Sequence, residues 1–371
     1  MDGEIIYKLA YSFLKKINAD FVRKIQNRGI SHEEFFKLPS KQLIMKLGIS
    51  NDHSFDNIAR EEALMLARKE WDLIKPHNIS PLFLLDENYP ERLAEIDDAP
   101  LILYKLGDAD LDNEHLAAIV GTRRPSPYGV AFCKKLINDL SDYFNEMGVV
   151  SGLAYGIDAV AHQEALSAGL PTVAVVAHGL NMIYPANHRN LAKKILNSGG
   201  AIISEYPFGV KPFKPNFLAR NRIVAALSDV TMVIESALKG GAMSTANFAF
   251  SYSREVMALP GKISDELSAG CNLLIRKQKA SLLSSAADVI ETCGWKILNM
   301  KINSQQRNLF PELDGDFKKV YDLLKFSKEP LQADKISYAT GLGAAKTLSV
   351  LGELEFDGIV IRHPGNRFSI A

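Results

Sequence analysis

Five short runs between residues 117 and 259 are almost wholly apolar: Ala117-Ala118-Ile119-Val120, Thr172-Val173-Ala174-Val175-Val176, Ala201-Ile202-Ile203, Val230-Thr231-Met232-Val233-Ile234 and Glu255-Val256-Met257-Ala258-Leu259. A strand with one face in water alternates apolar and polar residues. A run without that alternation is buried on both faces, which in practice means a parallel sheet covered by helices. The intervening segments are long enough to be those helices. One follows Gly121 and runs to about Met147, one follows Val149-Val150-Ser151-Gly152 to about Ser167, one follows Pro185, and one spans about 217–227. The alternation predicts an α/β fold with a Rossmann-like, doubly wound, mostly parallel sheet joined by right-handed crossovers.

The flanks read differently. Residues 1–78 carry apolar positions at helical spacing and no strand signal, which predicts an all-helical N-terminal domain. Ser31, followed by Glu33 and Glu34, is a helix start. Leu47-Gly48-Ile49 is a short turn resembling that of a helix-hairpin-helix (SAM-like) module, and a helix from about Ser54 to Lys75 ends near Pro76. Pro81–Leu85 and Leu101–Tyr104 are further strand candidates, so the Rossmann-like domain is placed at 79–302. A polar linker follows at 303–316. Residues 317–371 predict three helices and a terminal hairpin, a winged-helix-like domain. From Glu312 onward it holds 8 Lys+Arg against 9 Asp+Glu. A wing that reads DNA should be basic, so protein docking suits this domain better.

Charge then singles out one region. The 371-residue chain balances 43 basic against 43 acidic residues, yet Leu116 to Arg222 holds 11 cations and 6 acids. Pro212 to Arg222 concentrates Lys214, Arg220 and Arg222 with Phe213 and Phe217, and no acid occurs from Tyr206 to Ser228. Cations neutralise phosphate and aromatic faces stack on bases. In a doubly wound sheet, ligands bind beyond the carboxyl ends of the strands. That rule gathers Gly121-Thr122-Arg123-Arg124, the turn Ser151 to Asp158, His178-Gly179-Leu180 with Tyr184 to Asn187, Lys214 to Arg222, and Lys239 to Thr245. Several of these open helices, whose free N–H groups favour anions. Each alone is equally consistent with a tight turn.

Other chemistries lack their residues. The sequence has no GxGxxG, GxxxxGK[ST], HExxH or paired CxxC. Asp158 and His162 share a helix at i, i+4, where a surface or capping contact is the commoner arrangement. Glu205 is the best lone acid for catalysis, but an ion pair with the nearby arginines explains it better. Cys133, Cys271 and Cys293 lie far apart and read as reduced thiols of a cytoplasmic protein. The N-terminus is acidic where a signal peptide would be basic, and no apolar run approaches the roughly 20 residues a bilayer requires.

In order, Gly121-Thr122-Arg123, Ser151 to Ala159, Tyr184-Pro185-Ala186-Asn187, Ser204-Glu205-Tyr206-Pro207, Arg220-Asn221-Arg222-Ile223, Pro260-Gly261 and Gly270 to Ile275 resemble the DNA-processing protein A (DprA/Smf) family. The resemblance spans about residues 80–285. It implies a non-catalytic binder of single-stranded DNA, without cofactor or metal. Such a protein protects incoming strands in natural transformation, helps load the recombinase RecA and forms a homodimer. Carried over by motif, Arg123, Lys214, Phe217, Arg220, Asn221 and Arg222 are the DNA-binding candidates. Arg123 and Lys214 would hold phosphate and Phe217 a base or sugar. Gly152 and Gly156 would let backbone approach phosphate, with Gly240 and Ser244 as further candidates. Two departures stand out: Leu218 replaces the family's usual Pro, and Lys239-Gly240-Gly241-Ala242-Met243-Ser244-Thr245 replaces a Ser-Gly-Ser-Leu-x-Thr pattern. The competing reading is a phosphoribohydrolase-like nucleotide-processing enzyme using the same crevice, but its Gly-Gly-x-Gly-Thr-x-x-Glu signature is absent.

Overall fold

The computed structural model describes residues 2–15, 17–48, 56–297, 315–327, 329–356, 359–363 and 365–370. Contacts divide it into two compact units, Met1–Leu298 and Asn299–Ala371. The first opens with five helices: α1 (Asp2–Ala10), α2 (Ala19–Asn27), α3 (His32–Lys37), α4 (Ser40–Leu47) and α5 (Asn57–Ile74). Ser31 starts α3 through a capping box with Glu34, as its sequence predicts. Gly48 ends α4 at φ 60°, a left-handed conformation that suits glycine. Ile49 of the predicted turn, and Ser54 at the predicted start of α5, lie outside the described residues. Asp56 caps α5 instead, accepting from the Ala59 amide at 2.9 Å.

The sheet follows: β1 (Ser80–Phe83), a short α6 (Glu91–Ala94), β2 (Ile102–Gly107), β3 (Leu116–Gly121), α7 (Pro127–Tyr143), β4 (Gly148–Ser151), α8 (Ile157–Ser167), β5 (Thr172–Val176), α9 (Arg189–Asn197), β6 (Ala201–Ser204), α10 (Lys214–Ala226), β7 (Val230–Ile234), α11 (Gly241–Ser251), β8 (Glu255–Ala258), α12 (Ala269–Arg276), β9 (Ser281–Leu282) and α13 (Ala286–Cys293). The spatial order is β1-β2-β6-β5-β4-β3-β7-β8-β9. Strands β3 to β9 pair in parallel, while β1 and β2 are antiparallel additions at one edge. The residues of β3 through β7 are nearly all buried, as a sheet covered on both faces requires.

Helices α7, α8 and α13 pack on one face around Ile119, Leu136, Ile157 and Met232. Helices α10, α11 and α12 cover the other around Val120, Ile223, Ala246 and Leu274. From β3 the chain winds first toward β6 and then, through α10, back to β7 on the far side of β3. The β3–β7 junction is therefore the topological switch point where a crevice opens. Helix α10 begins at Lys214, a few residues before the predicted 217. Pro215 sits in its first turn, where its missing N–H costs no intrahelical bond. The two-residue strands β9 and β10 (Leu331–Gln332) were not predicted, because two residues carry no period.

The N-terminal helices share a hydrophobic cluster with the sheet edge: Leu9, Phe35, Leu43 and Ile74 pack with Phe83, Ile102 and Tyr104. Glu70 on α5 is buried there and accepts the Phe208 amide at 2.8 Å, while His77 stacks on the Phe208 ring at 5.2 Å. Phe208 lies in the loop leading to α10, so the helical segment braces that loop.

The second unit contains α14 (Gly315–Phe326), β10, α15 (Ala333–Thr340), α16 (Ala344–Phe356), β11 (Val360–His363) and β12 (Arg367–Ile370), with β12 central in its three-stranded sheet. Val320, Ile336, Leu351, Leu354 and Phe368 form its core. This is the predicted winged-helix arrangement. Residues 303–314 of the predicted linker lie outside the described residues.

Burial raises the Glu70 pKa above the usual glutamate value, against the opposing pull of the Phe208 amide. A raised carboxyl pKa means the folded state holds a proton the unfolded state releases, so Glu70 lowers stability as pH rises through that window. Glu70→Gln keeps an acceptor for Phe208 and has no charge to bury. Its thermal midpoint, relative to wild type, should rise from pH 4.5 upward; a difference independent of pH would contradict this assignment. Glu70→Ala strands the amide and should cost about 1–3 kcal/mol in chemical denaturation.

Candidate nucleic-acid interface

Three helices start at the switch point. The N-termini of α8, α10 and α11 border a cleft of about 390 Å³, together with the loop after β3. Their free N–H groups and dipoles favour an anion there. The loops are fastened by backbone: the Thr122 amide donates to Glu235 O at 2.8 Å, and the Ile157 amide to Thr122 O at 3.2 Å. Leu153 (φ 54°) and Glu235 (φ 57°) adopt left-handed backbone on the loops after β4 and β7. Non-glycine residues in that region store strain of about 1–3 kcal/mol and gather at functional sites.

Glycines permit the close packing. At Gly156 (φ 80°) a Cβ would meet Thr122 O at 2.2 Å. Gly156 thus serves backbone packing and does not line the cleft, contrary to its predicted approach to phosphate. Gly152 lines the cleft, but the group a Cβ would strike is the Arg220 guanidinium, at 2.4 Å. Gly240 lines the cleft as the N-cap of α11.

The cationic residues divide into two kinds. Arg123 and Lys214 line the cleft, are exposed, and neither hydrogen-bonds nor forms an ion pair with a described residue. Arg220 lines the cleft from beneath and is only 5% exposed. Its Nη1 donates to Gly152 O at 2.6 Å and also to Val175 O, while its Nε has no partner among the described residues. Burial lowers the Arg220 pKa, with the Asp158 charge opposing. Arg220 is thus a buried support, where the sequence suggested a side chain free to meet DNA. Arg222 is engaged elsewhere. It does not line the cleft, and it donates to Glu205 at 2.5 Å and faces Asp98 at 3.4 Å. Two residues, about 200° of helix rotation, separate Arg220 from Arg222, and a string of basic letters does not say which of them meets the cleft.

Phe217 lines the cleft half-exposed, its ring 5.7 Å from that of Tyr184, which is 49% exposed. Phe213 is more exposed still but does not line the cleft. Asn221 donates from Nδ2 to Ser244 Oγ at 2.8 Å, and Ser244 donates to Gly241 O at 2.7 Å. Ser244 therefore orients Asn221 from behind instead of facing the cleft.

The acids weighed for catalysis are occupied. Glu205 holds Arg222, the role its sequence context suggested. Asp158 is buried and accepts the Ala154 amide at 3.3 Å; burial raises its pKa and Arg220 opposes this. His162 does not meet Asp158. Its Nδ1 lies 2.7 Å from Thr172 Oγ1, whose own proton goes to Val149 O, so Nδ1 is the donor. Burial depresses its pKa to about 3. Among the described residues there is no metal-binding cluster of His, Cys, Asp or Glu, and no helix is long and apolar enough to cross a membrane. Thr122 and Thr245 also line the cleft, within segments the sequence gathered there, as does Ser236, which the sequence did not single out. Glu235, whose carboxylate accepts the Ser126 amide at 2.8 Å and so anchors the start of α7, was also missed. An acid after an all-apolar strand gives no sign that it will turn inward.

Fold and cleft together define a doubly wound α/β protein with an anion-favouring site at its switch point. The family model described as DNA recombination-mediator protein A matches residues 80–294, and the one described as the DprA winged helix domain matches 307–366. The chain belongs to this DNA-processing protein A (DprA/Smf) family. It is 37% identical over 263 residues to a putative DNA processing protein DprA of Mycobacterium tuberculosis, covering 70% of this chain and 66% of that one. It is 34% identical over 289 residues to protein Smf of Escherichia coli, covering 75% and 74%. Among solved structures, DNA processing protein A from Streptococcus pneumoniae aligns with a TM-score of 0.64 at 32% identity, covering 78% of this chain and 98% of that one. The Helicobacter pylori protein, whose structure was described for its single-stranded DNA binding mode, aligns at 0.52 and 36% identity, covering 58% and 95%.

If Arg220 is a support, its loss should be felt in stability. Arg220→Ala removes charged hydrogen bonds to two strand ends and leaves Asp158 buried beside a void. Urea unfolding should show a loss of about 3 kcal/mol or more. Gly152→Ala should destabilise as well, by colliding with the guanidinium. Wild-type stability in both variants would return Arg220 to the role of a free contact.

Proposed function

We propose that the cleft holds single-stranded DNA. The observation that carries this reading is the pair of exposed cations, Arg123 and Lys214, unpaired among the described residues and set beside Phe217 over three helix N-termini. Cations and N–H groups suit phosphate. A half-exposed ring accepts any base face, so binding tolerates sequence. Gly152 and Gly240 lower the wall near the backbone, Asn221 offers a fixed amide, and Arg220 adds positive potential from below. Glu205, held by Arg222 and absent from the cleft wall, is not free to act there as acid or base, which favours a binder over a nucleotide-processing enzyme.

On family membership we extend the reading to the whole chain: a cytoplasmic homodimer that protects incoming strands and loads the recombinase RecA in natural transformation. Within it, the helical segment 1–78 braces the α10 loop, 79–302 binds DNA, and 317–371, joined through 303–316, docks protein. The H. pylori relative's single-strand binding supports the DNA assignment.

Lys214→Ala and Arg123→Ala should each weaken oligonucleotide binding and reduce the salt slope by about 0.7, the value for one phosphate contact on a single strand. Phe217→Ala should cost about 1–3 kcal/mol with the slope unchanged, as loss of stacking does. Folded variants with wild-type affinity and slope would remove DNA from the cleft.

A further inference from the structure

A second groove, of about 510 Å³, lies between α8 and α9. Gln163, Asn187, His188, Asn190, Lys194 and Ser198 line much of it, and no acid does. The charge around it is one-sided: no Asp or Glu occurs from Ala165 to Ser204, whereas Arg189, Lys193 and Lys194 fall within six residues. All three are exposed, and none forms an ion pair with a described residue. Glu164, the last acid on α8, is engaged by Asn138 at 2.7 Å and faces Lys134 at 3.9 Å. In a chain of zero net charge, such a patch attracts a polyanion.

The groove adjoins the cleft. His188 lines the groove, and its Nδ1 lies 2.9 Å from the carbonyl oxygen of Leu153, the residue between Gly152 and Ala154 of the cleft wall. The His188 ring meets Tyr155 edge to face at 4.9 Å, and Tyr155 is 44% exposed. A tethered aromatic pair thus stands between the two depressions. The groove's chemistry also differs from the cleft's. Three side-chain amides present both donors and acceptors, as the edges of unpaired bases do.

Building on the cleft as the DNA site, we propose that the α8–α9 groove is a second nucleotide subsite on the same strand. A single strand leaving the cleft passes Tyr155 and His188. It sets a base edge against Gln163, Asn187 and Asn190, with its phosphates on Lys194 and its exposed neighbour Lys193. A single strand suits the groove better than a duplex, whose Watson–Crick edges are already paired and whose bases are stacked inside the helix.

The test is a length series of labelled oligothymidines on the full chain, hexamer against 20-mer, by fluorescence anisotropy over a salt series. Lys193→Ala/Lys194→Ala should leave hexamer affinity within about twofold. It should weaken the 20-mer about tenfold and lower its slope by about 1.4, twice the value for one contact. Asn187→Ala/Asn190→Ala, which changes no charge, should weaken the 20-mer at an unchanged slope. Lys134→Ala/Lys135→Ala, with its charges on α7, should bind the 20-mer as wild type does. Unchanged 20-mer binding in the two groove variants overturns the subsite, as does equal weakening of both lengths. If wild type binds neither oligomer, it is the cleft assignment that fails, and the subsite with it.

Discussion

The grip of Arg220 on the strand ends holds the site together. Helix α10 crosses the sheet from β6 to β7 and carries Lys214, Phe217 and Asn221 at its outer end. One buried guanidinium binds it to Gly152 O and Val175 O, at the carboxyl ends of β4 and β5. Without that bond the helix would still pack through Ile223 and Val224, but it would lose its hydrogen bond to the loop after β4. A buried arginine is tolerable because carbonyl oxygens and the Asp158 charge replace its water. The absence of a Cβ at Gly152 makes the room.

Opposite duties are thereby given to residues of one chemical type. Arg220 and Arg222 are neutralised or bonded within the protein, and they set geometry. Arg123 and Lys214 have no hydrogen-bond or ion-pair partner among the described residues, and they set potential. An ion pair on the cleft rim would cancel the field that attracts phosphate, so the pairing of Glu205 with Arg222, away from the cleft, preserves it. The same logic separates α9, whose cations form no ion pair with a described residue, from α7, where Lys135 pairs with Asp139 and Lys134 faces Glu164.

Much of the architecture was legible in the sequence because burial on both faces leaves a composition signature. Val230–Ile234 and Thr172–Val176 could hardly be anything but central strands. The location of the site followed from topology, and the cluster around Lys214 from local charge. Side-chain orientation was not legible. Whether Arg220 points in or out depends on a groove opened by Gly152, distant in sequence, and whether Arg222 reaches DNA depends on Asp98 and Glu205. Gly156 looked like a phosphate-binding glycine, but its positive φ answers to Thr122 instead. The left-handed Leu153 and Glu235 could not be foreseen, since their conformations are imposed by neighbouring loops and not by their own preferences.

The most direct test of the cleft as a single-strand site is the affinity of the intact protein for one labelled oligonucleotide, alone and annealed to its complement, from low to moderate salt. The account predicts tight, salt-dependent binding of the single strand and much weaker binding of the duplex, whose paired bases cannot reach Phe217. Equal affinity for both forms would reduce the cleft to a general cationic surface, and no binding of the single strand at low salt would contradict the account outright.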